Sequence, residues 1–454
     1  MNKPFSSIIV VLTGLLVFSL ACQQPPAKEK GNVDAGGTKT ITYDDGRVYV
    51  GEVKAGEDGQ DIPNGKGVMT WPKGDKYEGD WVDGKREGKG RFVSYEGDIY
   101  TGEFKNDMKS GKGKHVWERG EGEKGTGITY VGYFANDQGN GKGIFNWFDE
   151  KKYVGDIKDG AGNGKGVITW VPGVSPYAKY TGTVKQNVPH GRGEYIYQNG
   201  DIYRGELQEG KRHGKGEFIA KVSGEKYTGD FANDFYHGKG RLELGDGRVY
   251  DGDFDGGYRH GNGVMNWPDN SKYEGAWENG VMNGMGAYTW ADKSTYVGMY
   301  SDGKRDGNGR FTWPDGSVYV GQFKNDLQHG NGKLNLANGK NYEGTFTEGK
   351  MTGKGVYMWP DGTKYEGEVL EADKHGNGTL TVPSGNIYVG EFQREARHGQ
   401  GKLTDAEGKV IHEGMWKEDQ PVLSSASTEG DEMPTKYVEE GGTQNPPSTN
   451  PSQP

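Results

Sequence analysis

The chain of 454 residues contains a single cysteine, so no disulfide bond can form within it. Hydrophobic residues make up only 31% of the sequence, which is too few for the thick two-layer core of an ordinary chain of this length. Between residues 41 and 416 the apolar residues also lack the 3.6-residue period of an amphipathic helix. These three absences exclude a disulfide-stabilised fold, a large globular core and a helical bundle.

Positive charge is scarce as well, because 55 Lys and Arg residues face 65 Asp and Glu residues, which gives a net charge of −10. Binding to nucleic acid depends on clustered cations that release counterions from phosphates. Here basic pairs such as Lys304 and Arg305 alternate with carboxylates. We therefore expect no nucleic-acid partner and little attraction to a strongly anionic membrane surface.

The main feature that the sequence does contain is a Tyr followed two residues later by Gly, mostly repeated every 23 residues. These tyrosines are Tyr49, Tyr77, Tyr100, Tyr130, Tyr153, Tyr180, Tyr203, Tyr227, Tyr250, Tyr273, Tyr296, Tyr319, Tyr342, Tyr365 and Tyr388. His412 stands in the slot of a sixteenth copy, and a Gly-x-Gly begins 11 residues after every Tyr from Tyr77 to Tyr388. A register this constant, in a chain with 12% aromatic residues, indicates an ordered array of repeats and not a disordered chain.

Each repeat is predicted to form two β-strands. Tyr319 and Phe323 fall on one face of the first strand, since side chains two residues apart share a face, and the slot four after the Tyr is apolar in all copies. The "WPDG" at 313–316 predicts a hairpin turn, and the "KNDLQHG" at 324–330 predicts a longer polar connection. The predicted fold is all-β, an elongated single-layer antiparallel β-meander solenoid of about 16 hairpin repeats.

The many glycines are explained by the same arrangement. Gly321, Gly330 and Gly332 are expected on the face of Tyr319 and Phe323, where bare backbone leaves room for an aromatic ring to lie flat. An aromatic side chain buries about 150 to 250 Å² at about 25 cal/mol/Å². Rings packed on glycines are thus expected to stabilise a sheet that has no second layer.

The N-terminus has the features of an export signal. Residues 8–20 are uncharged and apolar, but this run is shorter than the ~20 residues that a membrane-spanning helix needs. Ala21 and Cys22 follow, and the segment resembles a bacterial lipoprotein signal peptide. The resemblance implies cleavage between these two residues, acylation of Cys22 and, with Gln23 next to it, sorting to an outer membrane.

The sequence divides into four regions. Residues 1–21 are predicted to be the signal peptide and residues 22–40 a lipidated flexible tether, because they are rich in Gly, Pro, Gln and charge. Residues 41–416 hold the repeats, and residues 417–454 are predicted to form a disordered polar tail.

The repeat unit resembles the membrane occupation and recognition nexus (MORN) repeat. The matching features are "YVGQF" at 319–323, a "DG" before the Tyr, and "HGNG" at 329–332 followed by alternating apolar residues. The resemblance implies an elongated β-sheet scaffold. It also implies that protein segments bind in a groove, that the chain can form a homodimer, and that it can contact lipids.

No motif in the sequence indicates catalysis. There is no Gly-x-Ser-x-Gly and no phosphate-binding loop, and the carboxylates recur with the repeat instead of forming one unique pair. The histidines before the Gly-x-Gly lie one repeat apart, about 10 Å, which is too far for shared metal ligation. These histidines are His190, His213, His237, His260, His329, His375 and His398. We therefore expect no enzyme activity, no metal and no cofactor, and we predict that the histidines are turn residues.

These features predict a membrane-anchored, non-enzymatic scaffold of the bacterial cell envelope, on its periplasmic or its surface side, that binds a protein partner through its aromatic face or a sheet edge. The expected binding face consists of Trp267, Trp277, Trp290, Trp313, Tyr273, Tyr296, Tyr319 and Phe323. A glycan that stacks on the Trp and Tyr rows is an alternative partner. Binding of lipid headgroups by the repeats and a passive spacer role stay open.

Overall fold

The computed structural model describes residues 38–118, 127–148 and 150–422, and all regular structure in these ranges is β-strand. The predicted all-β fold is therefore confirmed. The chain divides into two compact units, of which the N-terminal unit ends at Ile168 and the C-terminal unit begins at Thr169. Ala21, Cys22 and the predicted signal peptide lie outside the described residues, as does most of the predicted tail.

The N-terminal unit contains strands of four to ten residues. They are β1 (Lys39–Thr42), β2 (Val48–Ala55), β3 (Asp61–Thr70), β4 (Lys76–Val82), β5 (Lys85–Val93), β6 (Ile99–Lys105), β7 (Met108–Trp117), β8 (Ile128–Ala135), β9 (Gln138–Trp147), β10 (Lys151–Lys158) and β11 (Ala161–Trp170), the last of which ends in the C-terminal unit.

The C-terminal unit contains the remaining strands. They are β12 (Tyr177–Lys185), β13 (Val188–Tyr197), β14 (Ile202–Gln208), β15 (Lys211–Ile219), β16 (Lys226–Ala232), β17 (Phe235–Glu243), β18 (Val249–Asp255), β19 (Tyr258–Asn266), β20 (Lys272–Glu278), β21 (Val281–Thr289), β22 (Thr295–Ser301), β23 (Lys304–Thr312), β24 (Val318–Lys324), β25 (Leu327–Asn335), β26 (Asn341–Thr347), β27 (Lys350–Met358), β28 (Lys364–Leu370), β29 (Asp373–Thr381), β30 (Ile387–Gln393), β31 (Ala396–Thr404), β32 (Val410–Lys417) and β33 (Gln420–Pro421).

Within each unit the strands form an antiparallel meander in which sequence neighbours pair, as predicted. From β2 to β31, even-numbered strands carry the Tyr-x-Gly and are called tyrosine strands here, and odd-numbered strands carry the Gly-x-Gly and are called glycine strands. The glycines lie opposite one another, so that Gly321 of β24 pairs with Gly332 of β25 and Gly332 pairs with Gly344 of β26. A row of glycines therefore crosses the strands of each unit.

The turns differ from the prediction. Tyrosine and glycine strands are joined by two residues, such as Asn325 and Asp326, with φ of 48° and 72°. The segment 324–330, predicted to be a long connection, is thus a two-residue turn followed by strand. Asn and Asp tolerate positive φ, which a tight hairpin of this kind requires at both positions. The "WPDG" segment does form a turn, closed by the Trp313 amide on the Ser317 carbonyl at 2.9 Å.

The prediction for Gly330 was wrong. Between β24 and β25 the register shifts after Gly321, and Gln322 lies opposite His329, so Gly330 lies in a bulge with φ of 61°. A Cβ atom on Gly330 would meet the Gln322 side chain and not an aromatic ring. This glycine is required by the positive φ and not by ring packing.

The core consists of one Tyr per repeat lying over two glycines, as predicted for Gly321 and Gly332. A Cβ atom on either residue would come within about 2.5 Å of Tyr319. The hydroxyl of Tyr319 donates a hydrogen bond to the Gln322 carbonyl at 2.9 Å, so the buried polar atom is satisfied. The face that carries the tyrosines is called the inner face here, and the opposite face the outer face.

Candidate functional site

Five of the eight residues predicted to form a binding face belong to the core. The relative exposure of Tyr273, Tyr296 and Tyr319 is 0%, and that of Trp277 and Phe323 is 5% and 4%. The Phe323 ring lies 5.0 Å from the Tyr296 ring and 5.1 Å from the Tyr319 ring, both edge to face. These side chains contact one another across repeats, and in this structure they offer little surface to a partner.

The other three predicted residues, Trp267, Trp290 and Trp313, are half-buried and form what is called the tryptophan row here. Each follows the end of a glycine strand and begins the four-residue turn. Tyr288 and Phe311 lie between them, with successive ring centroids 5.3, 4.5, 5.4 and 4.6 Å apart. The row is thus a continuous path of five rings along three repeats of the C-terminal unit.

Arg305 lies beside this row and is 4% exposed. Its guanidinium carbon is 5.6 Å from the Trp290 ring and 5.4 Å from the Phe311 ring, within range of a cation–π interaction. Asp326 of the next repeat balances the charge, because its carboxylate accepts from the Arg305 backbone amide at 3.0 Å and from Nε at 3.3 Å. We call this arrangement the inter-repeat clamp.

This cation is not among the residues predicted from the sequence, although its slot nine residues after the repeat Tyr gives a signal. The same slot holds an arginine in several other repeats, namely Arg86, Arg212, Arg259 and Arg397. Arg86, Arg212 and Arg397 each pair with an Asp of the next repeat. Since the arginines recur in the inner-face register, they could have been assigned to that face before the structure was known.

Several donors near the tryptophan row lack acceptors. The indole N–H groups of Trp290 and Trp313 and the Tyr300 hydroxyl are shielded from solvent and have no hydrogen-bond partner among the residues that the structure describes. By contrast, the buried indole of Trp277 donates to the Gly263 carbonyl at 3.3 Å, and that of Trp81 donates to the Gly67 carbonyl at 3.2 Å. An unpaired buried donor is costly, so an incoming acceptor would stabilise this part of the inner face.

The Tyr288 hydroxyl also differs in its hydrogen bonding from the tyrosine in the equivalent slot of another repeat. At the equivalent slot of a later repeat, the Tyr357 hydroxyl donates to the Ala372 carbonyl at 2.7 Å, whereas the Tyr288 hydroxyl meets no acceptor in hydrogen-bonding geometry within the described ranges. Burial raises the pKa of Tyr288 to about 12, and the nearby Ser271 hydroxyl partly opposes this shift. Tyr288 is therefore neutral at physiological pH.

The outer face carries a trough of about 1,280 Å³ that runs over β24 to β30. Its floor is the glycine row, including Gly344, Gly355 and Gly367. Oppositely charged side chains such as Lys354 and Glu368 and apolar ones such as Val389 form its walls. The trough is mixed in charge and shallow, so it gives no single ligand chemistry.

The histidines that were predicted to be turn residues lie in strands instead. His329 lies in β25 opposite Gln322, and His260 lies in β19 opposite Asp253, each immediately before a bulge. Within the described ranges, no group of three His, Cys, Asp or Glu side chains is placed to hold a metal ion. The same residues include no helix of the length and hydropathy that crossing a membrane requires.

Comparison with solved structures finds only weak similarity. The TCP10 domain of Danio rerio CPAP in complex with a peptide of STIL shares 16% identity, with a TM-score of 0.28, over 50% of this chain and 96% of that chain. The SAS-4 TCP domain of Drosophila melanogaster, in complex with a proline-rich motif of Ana2, shares 16% identity with a TM-score of 0.23, over 34% and 85%. Similarity this weak supports no inference about this chain, and no curated protein sequence matches it.

The match to a sequence family is extensive. The MORN repeat profile matches fifteen segments: 49–76, 77–99, 100–121, 130–150, 153–175, 180–202, 203–221, 227–247, 250–272, 273–295, 296–318, 319–340, 342–364, 365–387 and 388–410. These segments account for more than half of the chain, and each begins at one of the repeat tyrosines, while the copy at His412 is not matched. The chain belongs to the MORN repeat family.

Proposed function

We propose that this protein is a membrane-tethered, non-enzymatic scaffold of the bacterial cell envelope that binds an extended polypeptide along the tryptophan row. The observation that carries this proposal is the combination of half-exposed rings with indole donors that lack acceptors. Two of the three indoles of the row, those of Trp290 and Trp313, have no acceptor in the described part of the chain, whereas the buried Trp277 indole is paired with a backbone carbonyl. The row thus has unused hydrogen-bonding capacity, as do the Tyr288 and Tyr300 hydroxyls near it.

An extended polypeptide fits this chemistry. Its backbone carbonyls are acceptors at regular spacing, and its apolar or proline side chains stack on indole rings. Because both indole nitrogens are shielded in the unbound chain, Trp290 and Trp313 must tilt outward on binding. A tilt is feasible because each ring begins a turn and does not lie within a strand.

The tether belongs to the same proposal. Two or three acyl chains on Cys22, at ~0.8 kcal/mol per buried CH₂, suffice for stable attachment without help from the acidic repeats. A flexible segment of the length of residues 23–40 has a reach of about 25 Å. It would hold the array near an outer membrane while leaving the tryptophan row accessible.

Photo-crosslinking in intact cells tests the partner. A photoreactive residue replaces Lys293, which lies in the turn that begins at Trp290. It is introduced into the otherwise wild-type chain and into a triple variant of the row that carries Trp267→Ala, Trp290→Ala and Trp313→Ala. We expect one crosslinked polypeptide in the wild type and its loss in the triple variant. Trp147→Ala, in the same slot of the N-terminal unit, is the matched control and should leave the crosslink unchanged. No specific adduct in the wild type would overturn the proposal.

A glycan remains the second candidate, because Trp267, Trp290 and Trp313 keep part of their ring surface exposed. Tryptophan fluorescence during titration with soluble envelope polysaccharides separates the candidates. A saturable change that is lost in the triple variant favours a glycan. Absence of such a change together with a polypeptide crosslink favours the scaffold, and absence of both leaves a passive spacer or a contact with lipid headgroups.

The anchor has its own test. Metabolic labelling with a fatty-acid analogue should label the wild type and not Cys22→Ala, and membrane fractionation should recover only the wild type in processed form. Equal labelling of both proteins would show that Cys22 is not the acylated residue. A wild type that is unlabelled and fully soluble would make the protein a secreted scaffold, while the crosslinking result would still decide the role of the tryptophan row.

A further inference from the structure

The residues that follow the array include a segment rich in proline. The structure describes the chain as far as Val422, which follows β33 and donates to the Met415 carbonyl at 2.8 Å. Residues 423–454 lie outside the described ranges. Their last part, "PPSTNPSQP" at 446–454, contains four prolines and no charged residue, and it is called the proline segment here. The unit that carries the tryptophan row is thus connected to a proline-rich sequence of the same chain.

The proline segment matches the hydrogen-bonding character of the tryptophan row. Proline has a carbonyl but no N–H, so a proline-rich backbone brings acceptors and few competing donors. Its rings also stack on indoles without the loss of side-chain entropy that a flexible residue incurs. Four polar groups near the row are buried without a partner in the described ranges, and each can donate, namely the indoles of Trp290 and Trp313 and the hydroxyls of Tyr288 and Tyr300.

The spacing of the row matches a polyproline II helix. Successive tryptophans of the row are one repeat, or two strands, apart, which is about 9.6 Å at ~4.8 Å per strand. A polyproline II helix rises ~3.1 Å per residue with three residues per turn, or about 9.3 Å per turn. Pro451 and Pro454 are three residues apart, so their rings recur on one side of such a helix. The proline segment would span about 25 Å, which covers the two repeats between Trp267 and Trp313.

We propose that the proline segment binds along the tryptophan row of its own chain as a polyproline II helix. This contact rests on the proposed function, because it gives the polypeptide-binding row an occupant from within the chain. An external partner then binds by displacing the proline segment. The C-terminus therefore controls access to the row.

The connecting residues 423–445 are long enough for this contact. In the meander, β33 lies ten strands from β23, and Trp313 follows the end of β23, so the gap is about 48 Å at ~4.8 Å per strand. Fully extended, the connecting residues span up to about 79 Å at ~3.3 Å per residue. Because the proline segment is tethered, its effective concentration near the row is on the order of 1 mM.

The connecting residues also carry the charge that their path along the inner face favours. They contain five acids and one lysine, which gives a net charge of −5 + 1 = −4. The turn at 336–340 lies between the row and the end of the array, and its Lys340 ammonium is 4.5 Å from the Tyr357 ring and 4.9 Å from the Trp359 ring. Lys340 forms no ion pair in the described part of the chain. An acid of residues 423–445 would supply the opposite charge there.

Competition with a synthetic peptide tests the contact in the full-length chain in detergent. The probe is a fluorescently labelled peptide of residues 441–454, and fluorescence anisotropy measures its binding. In the proline variant, Ala replaces all four prolines of the proline segment. A peptide with a dissociation constant of about 0.1 mM should bind the wild type about 10-fold more weakly than this variant, because the tethered segment of the wild type competes for the row. Equal affinity, or no binding to the proline variant, overturns the proposal.

Two further variants locate the contact. Ser448→Ala with Ser452→Ala is the matched control, since it changes the same segment and keeps its prolines, and it should bind the peptide as weakly as the wild type. Trp290→Phe, added to the proline variant, keeps an aromatic ring and removes the indole N–H, so it should weaken peptide binding several-fold. Unchanged binding would place the peptide away from the row and contradict the contact. Circular dichroism of each variant separates weakened binding from misfolding.

The photo-crosslink at Lys293 separates this contact from the proposed function. Because the proline segment and an external partner compete, the crosslink to the partner in cells should increase several-fold in the proline variant. Peptide competition without any crosslinked partner would overturn the proposed function and leave the contact within the chain. A crosslinked partner without peptide competition would overturn the contact and leave the proposed function.

Discussion

The inner and outer faces of the same strands differ in how uniform their side chains are from repeat to repeat. On the inner face, Tyr77 and Tyr365 lie twelve repeats apart in the sequence, yet both are 0% exposed and donate to the carbonyl three residues ahead, at 3.0 and 2.6 Å. On the outer face, Lys239 and Arg241 of β17 form ion pairs with Asp253 and Asp251 of β18. The same positions of β21 and β22 hold only apolar residues, namely Met285, Ala287, Val297 and Met299. A single uniform face is enough to specify the fold, so the other face is free to vary and to carry interactions.

The largest expected loss of stability comes from a substitution on the inner face. Tyr319→Ala removes a ring that packs on two glycines and contacts Phe323 and Phe346, and it should lower the free energy of unfolding by about 3 to 5 kcal/mol. Val320→Ala, one residue away on the outer face, should cost less than about 0.5 kcal/mol. Urea denaturation with native-state hydrogen exchange in β24 to β26 measures both. Similar costs at the two positions would contradict the division between the faces.

A methyl group added to the glycine row should have the next largest effect. In Gly332→Ala the new Cβ atom overlaps the Tyr319 ring, so the ring must shift, at a cost of about 2 to 3 kcal/mol. Asn331→Ala, at the neighbouring outer-face position, is the control and should be close to neutral. Hydrogen exchange at the Gln322 and Phe346 amides should report the disturbance locally. An unchanged exchange rate would mean that Tyr319 does not need the bare backbone.

One ionisable group on the inner face makes the N-terminal unit sensitive to acid. His115 occupies a slot that holds Phe or Leu in other repeats, and burial, together with Lys109 at 3.4 Å, lowers its pKa to about 3. The folded state keeps His115 neutral, while the unfolded chain binds a proton near pH 6.5. The stabilisation is therefore present above pH 6.5 and is lost as the pH falls toward 3, by about 2 kcal/mol between pH 7 and pH 5.

His115→Leu tests this expectation, because it removes the titrating group and keeps an apolar side chain in the slot. Thermal unfolding of the full chain at pH 7 and pH 5 should show a smaller loss of stability in the variant. An equal loss in both proteins would assign the acid sensitivity to other groups. The unfolding temperature of the Leu variant at pH 7, compared with that of the wild type, shows whether the new side chain packs correctly.

The smallest effect is expected on the charged outer face. The Lys239–Asp253 pair is 72% and 31% exposed at its two side chains, so a double-mutant cycle with Lys239→Ala and Asp253→Ala should give a coupling energy below about 0.5 kcal/mol. Added salt should reduce this coupling further. A value above 1 kcal/mol would mean that ion pairs of the outer face contribute to the stability of the fold and that this face is not free to vary.

The predictable part of this protein is the part that repeats. The Tyr and Gly spacing indicates strands, their inner face and the ring-on-glycine core, because side-chain direction alternates by a fixed rule. The bulge at Gly330 could not be predicted, because the sequence does not reveal a shift of register between strands. The two-residue turn at Asn325 and Asp326 was not predicted, although Asn and Asp are the residue types that tolerate positive φ. Periodicity alone describes the average repeat and not its local geometry.

The candidate site was predicted in part for the same reason. Trp267, Trp290 and Trp313 were identified from the sequence, and their neighbours in the prediction, such as Tyr296, were assigned to a surface although they are buried. Alternation says which face a ring is on, but exposure depends on how neighbouring repeats cover it. The unpaired indole of Trp290 also depends on distances between repeats, which no linear pattern contains.

The inter-repeat clamp determines where the array separates into cooperative blocks. Arg305 and Asp326 join adjacent repeats through a side-chain and backbone network, whereas Met282 and Met351, in the same slot of other repeats, have no ionic group and offer the next repeat their backbone carbonyls. In a chain whose stability is a sum of nearest-neighbour terms, unclamped joints open first. We therefore expect the C-terminal unit to open first at joints without the clamp, so that a force applied to its two ends would unfold it in steps.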